Sequence, residues 1–263
     1  MNWFAIGFFL MNFHQHFRVL AVITQQLVII YSIKKPVVSL VWEKRQTIEP
    51  LNFIDNRANL SGLVLVLRTM NHLAHLYLSQ HAEKMIVGNF IADGVKGNKY
   101  LSFESEISRG IIMHRAIDTF TDSHVIVSHS KRFFREKYGL YSAVLIDLFY
   151  DHFLAKNWKQ FSNIPLLFFA EHAYNVFEKY FDQMPLRYQH MFPYMQKENW
   201  LLNYAHLEGI QRSLNGMSRR IKNNPGIEHS VSELRAHYEE LEHDFNQFFP
   251  ELQQEMVSHF PAQ

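Results

Sequence analysis

The chain has 263 residues and no cysteine, so its sequence excludes disulfide bonds and thiolate metal ligands. Residues 1–69 carry seven Lys/Arg against three Asp/Glu, whereas residues 70–263 carry 19 against 22. The larger part is therefore mildly acidic, which argues against a general nucleic-acid binder. Fourteen of the 16 histidines follow residue 69, and any metal ion must bind to His, Asp or Glu.

Residues 1–69 contain apolar runs without a clear period, from Trp3 to Met11 and from Val19 to Ile33. Neither run reaches the roughly 20 residues that a membrane-spanning helix needs. A basic segment and a cleavage site typical of a signal peptide are also missing, so we expect a cytoplasmic protein. We interpret residues 1–69 as an extension, such as a translated upstream segment, with Met70 as the natural start. A peripheral membrane anchor over residues 1–33 is the alternative.

From residue 70 onwards, apolar residues recur with helical spacing and few strand-like alternations occur. The predicted fold is all-α, with a single helical domain over residues 70–263. Glycines such as Gly88 are expected in loops or at helix ends, and Ser230 to Glu233 fits a capping box that opens the last helix. The helices are predicted at 70–80, 82–92, 104–121, 124–137, 141–158, 165–182, 198–222 (with room for a break) and 231–256.

The most informative segment lies in the predicted helix 104–121. Its residues Ile107, Ile111, His114 and Asp118 follow the spacing i, i+4, i+7 and i+11, which places them on one stripe that should face the core. A buried imidazole and carboxylate need a partner, and a divalent metal ion is one such partner. Nitrogen and oxygen ligands fit Mn, Mg, Fe or Zn, and such an ion suits hydrolysis because it lowers the pKa of bound water.

Three other segments offer residues of the same kind. Asp151 lies on an apolar stripe of its predicted helix and is followed directly by His152. The alternative is that Asp151 accepts a backbone or arginine hydrogen bond in the core. His75 follows His72 by three residues in the first helix, and Asp93 ends an apolar run. A packed histidine and a turn-forming aspartate are the alternatives at these positions.

These segments resemble the acyl carrier protein phosphodiesterase family. The resemblance is carried by Asn71–Leu76, Gly88–Asp93, Met113–Asp118 with Thr121–Asp122, Asp147–Leu154, Leu214–Met217 and Glu239–Glu242. It extends from Met70 to about residue 256, and residues 1–69 have no counterpart in the family pattern. It implies an all-α fold related to the HD-type metal hydrolases. It also implies an Mn²⁺-dependent reaction, with Mg²⁺ or another divalent ion as alternatives, in which holo-acyl carrier protein and water give the apo form and 4′-phosphopantetheine.

The resemblance to HD-type sites also implies a set of metal ligands. Carried onto this chain, they are His75, His114, Asp118 and Asp151, with Asp93 and His152 as alternatives that could replace members of this set. The HD-type His/Asp pair is adjacent, whereas here three residues separate His114 from Asp118. The mapping onto the family site therefore departs from the HD pattern at its central pair.

We hypothesise that His152 protonates the leaving serine oxygen, that Asp118 is essential, and that Arg115 binds the phosphate as a planar donor. A surface or helix-pairing arginine is the alternative for Arg115. The carrier protein is small and strongly acidic, so a basic docking surface is expected. Two clusters offer one: Lys131, Arg132 and Arg135, and Arg219 and Arg220. A solvated helix face is the alternative for each cluster.

Two other functions are compatible with these residues. The first is an HD-type phosphohydrolase that acts on nucleotides or other phosphodiesters. The second is a non-enzymatic module that binds acyl carrier protein and whose polar stripe is structural. Cleavage of holo-carrier compared with a nitrophenyl phosphodiester separates the first from the family reaction, and metal analysis of purified protein separates the second. The sequence predicts no nucleic-acid partner and no particular oligomeric state.

Overall fold

The computed structural model describes residues 72–80 and 82–261. The predicted N-terminal extension, its membrane-anchor alternative and the Met70 start all lie outside these described residues. Within them, every regular element is a helix, which confirms the all-α prediction. No helix among the described residues combines the length and the apolar character that crossing a membrane requires.

The described residues form α-helices joined by short loops and 3₁₀ turns. The α-helices are α1 (Leu73–Leu78), α2 (Glu83–Ile91), α3 (Ser105–Ser123), α4 (Val125–Tyr138), α5 (Ser142–Lys156), α6 (Leu166–Lys179), α7 (Leu186–Lys197), α8 (Trp200–Asn203), α9 (Leu207–Ser218), α10 (Val231–Ala236) and α11 (Tyr238–His259). Helices α1 to α6 each lie within a predicted helix or within a few residues of one. The later part of the chain differs more from the prediction.

Helix α7 is absent from the predicted elements, and it forms with Pro193 inside it. Proline removes a backbone donor and clashes with the preceding turn, but it does not exclude a helix here, and Pro250 lies inside α11 in the same way. The predicted helix 198–222 is divided into α8 and α9, and the predicted last helix is divided into α10 and α11 at His237. The break in the first of these was anticipated, and the break at His237 was not.

The predicted capping box at the start of the last helical segment is wrong. Ser230 has helical backbone angles and makes no side-chain capping bond to α10. Its hydroxyl instead donates to the carbonyl of Ile227 at 2.7 Å. The preceding 3₁₀ turn is followed almost directly by α10. The Ser230 hydroxyl therefore bonds to a carbonyl of this turn, whereas in a capping box it would accept a hydrogen bond from a backbone N–H of α10.

Helices α2 and α3 pack backbone against backbone. A Cβ atom on Gly88 would lie 2.0 Å from the Ile107 carbonyl oxygen, and one on Gly110 would lie 2.4 Å from the Met85 carbonyl oxygen. The expectation that Gly88 marks a loop or helix end is therefore wrong, because it is a contact glycine inside α2. The close approach places the next residue, Asn89, against α3 with 1% of its surface exposed.

Helix α11 packs an aromatic face against α5. The Tyr150 ring lies 5.5 Å from both the Phe245 ring and the Phe248 ring, and Phe249 stacks on Phe245 at 5.2 Å. These rings are buried. They form an apolar wall that faces the same cavity as the polar residues of α1 and α3.

Candidate metal centre

A cavity of about 230 Å³ lies among α1, α3, α5 and α11. The structure brings all five predicted metal ligands to its wall, together with two further aspartates. These lining residues are His75, Asp93, His114, Asp118, Asp122, Asp147 and Asp151. Residues from four separate segments of the sequence therefore meet at one place, as the prediction of a shared site requires.

Two imidazoles form the centre of the group. The rings of His75 and His114 are stacked with their centroids 4.1 Å apart. The Nδ1 atom of each ring lies 3.0 Å from the same oxygen, Oδ1 of Asn89. The amide nitrogen of Asn89 donates to the His75 carbonyl at 2.9 Å and to Ser79 Oγ at 3.1 Å, which fixes the amide orientation. An amide oxygen only accepts, so both rings donate through Nδ1 and direct Nε2 away from Asn89.

Both Nε2 atoms face carboxylate oxygens. His75 Nε2 lies 3.5 Å from Asp118 Oδ1. His114 Nε2 lies 3.5 Å from Asp93 Oδ1 and 3.6 Å from Asp118 Oδ2. One potential ligand atom each from His75, His114 and Asp118 all lie within 4.8 Å of one another. A ring nitrogen with a lone pair and a carboxylate oxygen are both acceptors, so a proton or a metal ion between them is favourable.

The electrostatics of His114 favour a cation at this point. Burial lowers the pKa of His114, but the neighbouring Asp93 and Asp118 carboxylates outweigh it and raise this pKa above its ordinary value. Without metal, the raised pKa means that the His114 ring takes up a proton more readily than an ordinary histidine. A divalent ion would also compensate the negative charges of Asp93 and Asp118, and it carries more positive charge than a proton. The donor set, with the Asn89 oxygen holding both rings from behind, fits a divalent metal ion.

Asp151 lines the cavity but its oxygens have protein partners. Oδ2 accepts from the Leu73 backbone N–H and Oδ1 from the Ala74 N–H, both at 2.9 Å. The carboxylate thus satisfies the free N–H groups at the start of α1. Burial raises the pKa of Asp151 to about 7, and the backbone donors act in the opposite direction. This arrangement matches the alternative in which Asp151 accepts backbone hydrogen bonds in the core.

The structure does not bring His152 or Arg115 to the cavity wall. His152 Nδ1 lies 2.8 Å from the Tyr204 carbonyl oxygen and its Nε2 lies 2.7 Å from the Tyr238 hydroxyl, so both ring nitrogens are occupied. Arg115 donates to the carbonyls of Val95 and Gly97 at 2.7 and 2.9 Å. Both side chains therefore hold neighbouring segments in place.

Asp147 and Asn89 are residues of the site to which the sequence analysis gave no catalytic or metal-binding role. Asp147 lines the cavity one turn before Asp151, and burial, followed by the charges of Asp118 and Asp122, raises its pKa to about 8. The i, i+4 spacing from Asp151 was the available signal for Asp147. For Asn89 the signal was a lone amide inside an otherwise apolar helical run.

The profile of the acyl carrier protein phosphodiesterase family matches residues 70–252. The chain belongs to this family. A relative named acyl carrier protein phosphodiesterase from Enterobacter sp. (strain 638) is 35% identical over 184 residues, which cover 70% of this chain and 95% of the relative. One of the same name from Escherichia coli O6:H1 is 36% identical over 187 residues, covering 71% and 97%. No solved structure matches the chain significantly.

Family membership confirms the resemblance predicted from the sequence and places the chain among phosphodiesterases. The matched range begins at Met70 and includes all the residues of the cavity wall. The relationship to HD-type hydrolases stays a prediction.

The two predicted docking clusters of this family member lie in different settings. In the first cluster, Lys131 Nζ pairs with Asp122 Oδ1 at 3.1 Å, while Arg132 and Arg135 are exposed along α4. In the second, Arg219 and Arg220 border a cleft separate from the metal-facing cavity. The clusters are therefore different surfaces, and each can be tested separately.

Proposed function

We propose that this chain hydrolyses holo-acyl carrier protein to the apo form and 4′-phosphopantetheine. In this reaction water adds to phosphorus, the bond from phosphorus to the carrier's serine oxygen breaks, and that oxygen takes up a proton. The observation that carries the proposal is the pair of Nε2 atoms that face Asp93 and Asp118 in a cavity of a phosphodiesterase family member. We expect the enzyme to act in the cytoplasm, where its cysteine-free composition is suited to the reducing conditions.

Metal binding is assigned in this proposal to His75, His114 and Asp118, with Asp93 beside His114 as the fourth group. Two imidazole nitrogens with carboxylate oxygens suit Mn²⁺, and Mg²⁺ is the alternative with a weaker preference for nitrogen. When bound, a divalent ion lowers the pKa of a coordinated water molecule and stabilises negative charge on the phosphoryl group.

Three other residues hold this group in place. Asn89 fixes the tautomer and orientation of both imidazoles through one oxygen. Asp151 anchors the start of α1, which carries His75, so we assign it a positioning role in place of metal binding. Arg115 holds the turn at Val95 next to Asp93, and we assign it the same kind of role.

Asp147 replaces His152 as the proposed proton donor to the leaving serine oxygen. It lines the cavity, whereas both nitrogens of His152 are engaged by Tyr204 and Tyr238. In the metal-free protein, burial and the charges of Asp118 and Asp122 raise the pKa of Asp147 to about 8, which favours its protonated form near neutral pH. A protonated carboxyl group in a cavity is suited to general acid catalysis near that pH.

The proposal is tested with the full chain and purified holo-carrier. Incubation with Mn²⁺ should convert the carrier to a species lighter by the phosphopantetheine group, as followed by intact-protein mass, and chelation with EDTA should stop the conversion. Faster cleavage of a nitrophenyl phosphodiester than of holo-carrier would favour the broader phosphohydrolase. Tight carrier binding without stoichiometric metal or product would favour the non-enzymatic binding module.

A further inference from the structure

A second cleft of about 670 Å³ opens between α7, α8 and α9. Four arginines line it, and Glu198 is the one acidic side chain among its described lining residues. The arginines of this arginine cleft are Arg187, Arg212, Arg219 and Arg220. Residues 70–263 carry more acidic than basic side chains, so this is a local concentration of positive charge on an acidic body.

The four arginines come from α7, α9 and the segment directly after α9. Arg220 is held at the cleft by a hydrogen bond from its Nε atom to the Gly216 carbonyl at 3.0 Å. Partial burial and the nearby Arg187 both lower the pKa of Arg220. Like charges held close together in a concave surface are stabilised by a bound anion, and guanidinium groups bind carboxylates in bidentate geometry.

Helix α7 connects the arginine cleft to the candidate metal centre. Arg187 is adjacent in sequence to Tyr188, whose hydroxyl accepts the Gly94 backbone N–H at 3.0 Å. Gly94 directly follows Asp93, and a Cβ atom at Gly94 would lie only 2.6 Å from the Tyr188 ring. The helix that carries one cleft arginine therefore packs tightly on the turn that carries a candidate metal ligand.

The arginine cleft and the α4 cluster differ in shape and in charge. In the α4 cluster Lys131 is neutralised by Asp122, and Arg132 and Arg135 lie on the exposed side of a single helix. The cleft collects four guanidinium groups from two helices and the segment after α9 around a concave surface. A protein surface with several carboxylates should bind the cleft more tightly than the α4 cluster, because several ion pairs form at once in the cleft.

We propose that the arginine cleft docks an acidic surface of the holo-acyl carrier protein while the phosphodiester enters the cavity of the candidate metal centre. The proposal rests on the proposed function, which supplies a protein substrate of acidic character. Of the two predicted docking surfaces, we therefore assign docking to the cluster of Arg219 and Arg220 rather than to the α4 cluster. Arg187 and Arg212 also belong to this surface.

The test compares three double charge reversals of equal size. The cleft variant is Arg212→Glu with Arg219→Glu, the α4 variant is Arg132→Glu with Arg135→Glu, and the control is Lys159→Glu with Arg235→Glu at exposed positions outside both surfaces. We expect the cleft variant to raise KM for holo-carrier about 10-fold or more with a much smaller change in kcat, and to flatten the dependence of KM on salt. The control should change KM less than about twofold.

Two results would overturn the docking proposal. One is a KM rise in the α4 variant that equals or exceeds the rise in the cleft variant. The other is a cleft that binds inorganic phosphate in calorimetry while the cleft variant retains the wild-type affinity for holo-carrier. Calorimetric binding of holo-carrier does not require turnover. Wild-type binding that the cleft variant loses, without any hydrolysis, would therefore support docking while rejecting the proposed function.

Discussion

Two groups of buried or partly buried residues in this protein contain His and Asp, and the two groups satisfy these side chains in different ways. The open group is His75, His114 and Asp118 around Asn89, and the closed group is Asp151 with His152. In the closed group, protein atoms engage both oxygens of Asp151 and both nitrogens of His152. In the open group, each imidazole uses Nδ1 on Asn89 and directs Nε2 at carboxylates. This difference is the reason why metal binding is proposed at the open group and a positioning role at the closed group.

The largest expected effect comes from Asp118→Asn in the open group. An amide keeps the shape but removes the negative charge that faces both Nε2 atoms, so turnover of holo-carrier should fall about a thousandfold or more. Intact-protein mass of the carrier measures this, with circular dichroism showing unchanged helical content. The exposed Asp182→Asn is the matched control and should retain activity. Full activity of Asp118→Asn would reject the site.

In the closed group, Asp151→Ala should act mainly on stability. It leaves the backbone N–H groups of Leu73 and Ala74 without their acceptors, so the free energy of unfolding should fall by about 3 kcal/mol. Urea unfolding of the metal-free protein measures the change. A loss below about 1 kcal/mol, comparable to a typical surface substitution, would contradict the closed assignment of Asp151.

Asn89→Ala tests the residue whose oxygen orients both imidazoles of the open group. Without the amide oxygen, the two imidazoles lose their common acceptor, and the affinity for Mn²⁺ should fall about 10- to 100-fold. Titration of the metal-free protein with Mn²⁺ gives the affinity. Ser79→Ala is the matched control, because it removes a partner of the amide nitrogen and keeps the oxygen on both rings. Equal losses in both variants would argue against the role of the oxygen.

For Asp147→Asn, the expected effect on stability depends on pH. The pKa of Asp147 is raised from 3.8 to about 8 in the folded protein, so the folded state holds this proton more tightly than the unfolded chain. Its contribution to stability is complete below pH 3.8 and is lost as the pH rises towards 8. Asparagine does not titrate, so the metal-free variant should gain roughly 10 °C in Tm over the wild type on going from pH 5 to pH 8, because the wild type loses about 3–4 kcal/mol over that range. Parallel Tm curves would contradict the raised pKa.

Local patterns predicted much of the open group. The spacing of Ile107, Ile111, His114 and Asp118 predicted a core-facing stripe, and the structure buries the first three and directs Asp118 into the cavity. Periodicity is a property of one helix, so it can be read from one segment. The same reasoning predicted that Asp151 points inward and left its partner open, because a partner 77 or 78 residues away has no local signal.

The sequence by itself determined that this is an all-α phosphodiesterase family member with His114 and Asp118 on one buried face. Tertiary structure alone decided which buried polar atoms form hydrogen bonds within the protein and which acceptor atoms lie opposite one another at the candidate metal centre. The close packing at Gly88 and Gly110 placed the Asn89 oxygen between two imidazoles from different helices. Helix α7, which was not among the predicted elements, brought Arg187 to the arginine cleft. Hydrogen bonds and charge clusters depend on distances between segments, and those distances are fixed only when the helices pack.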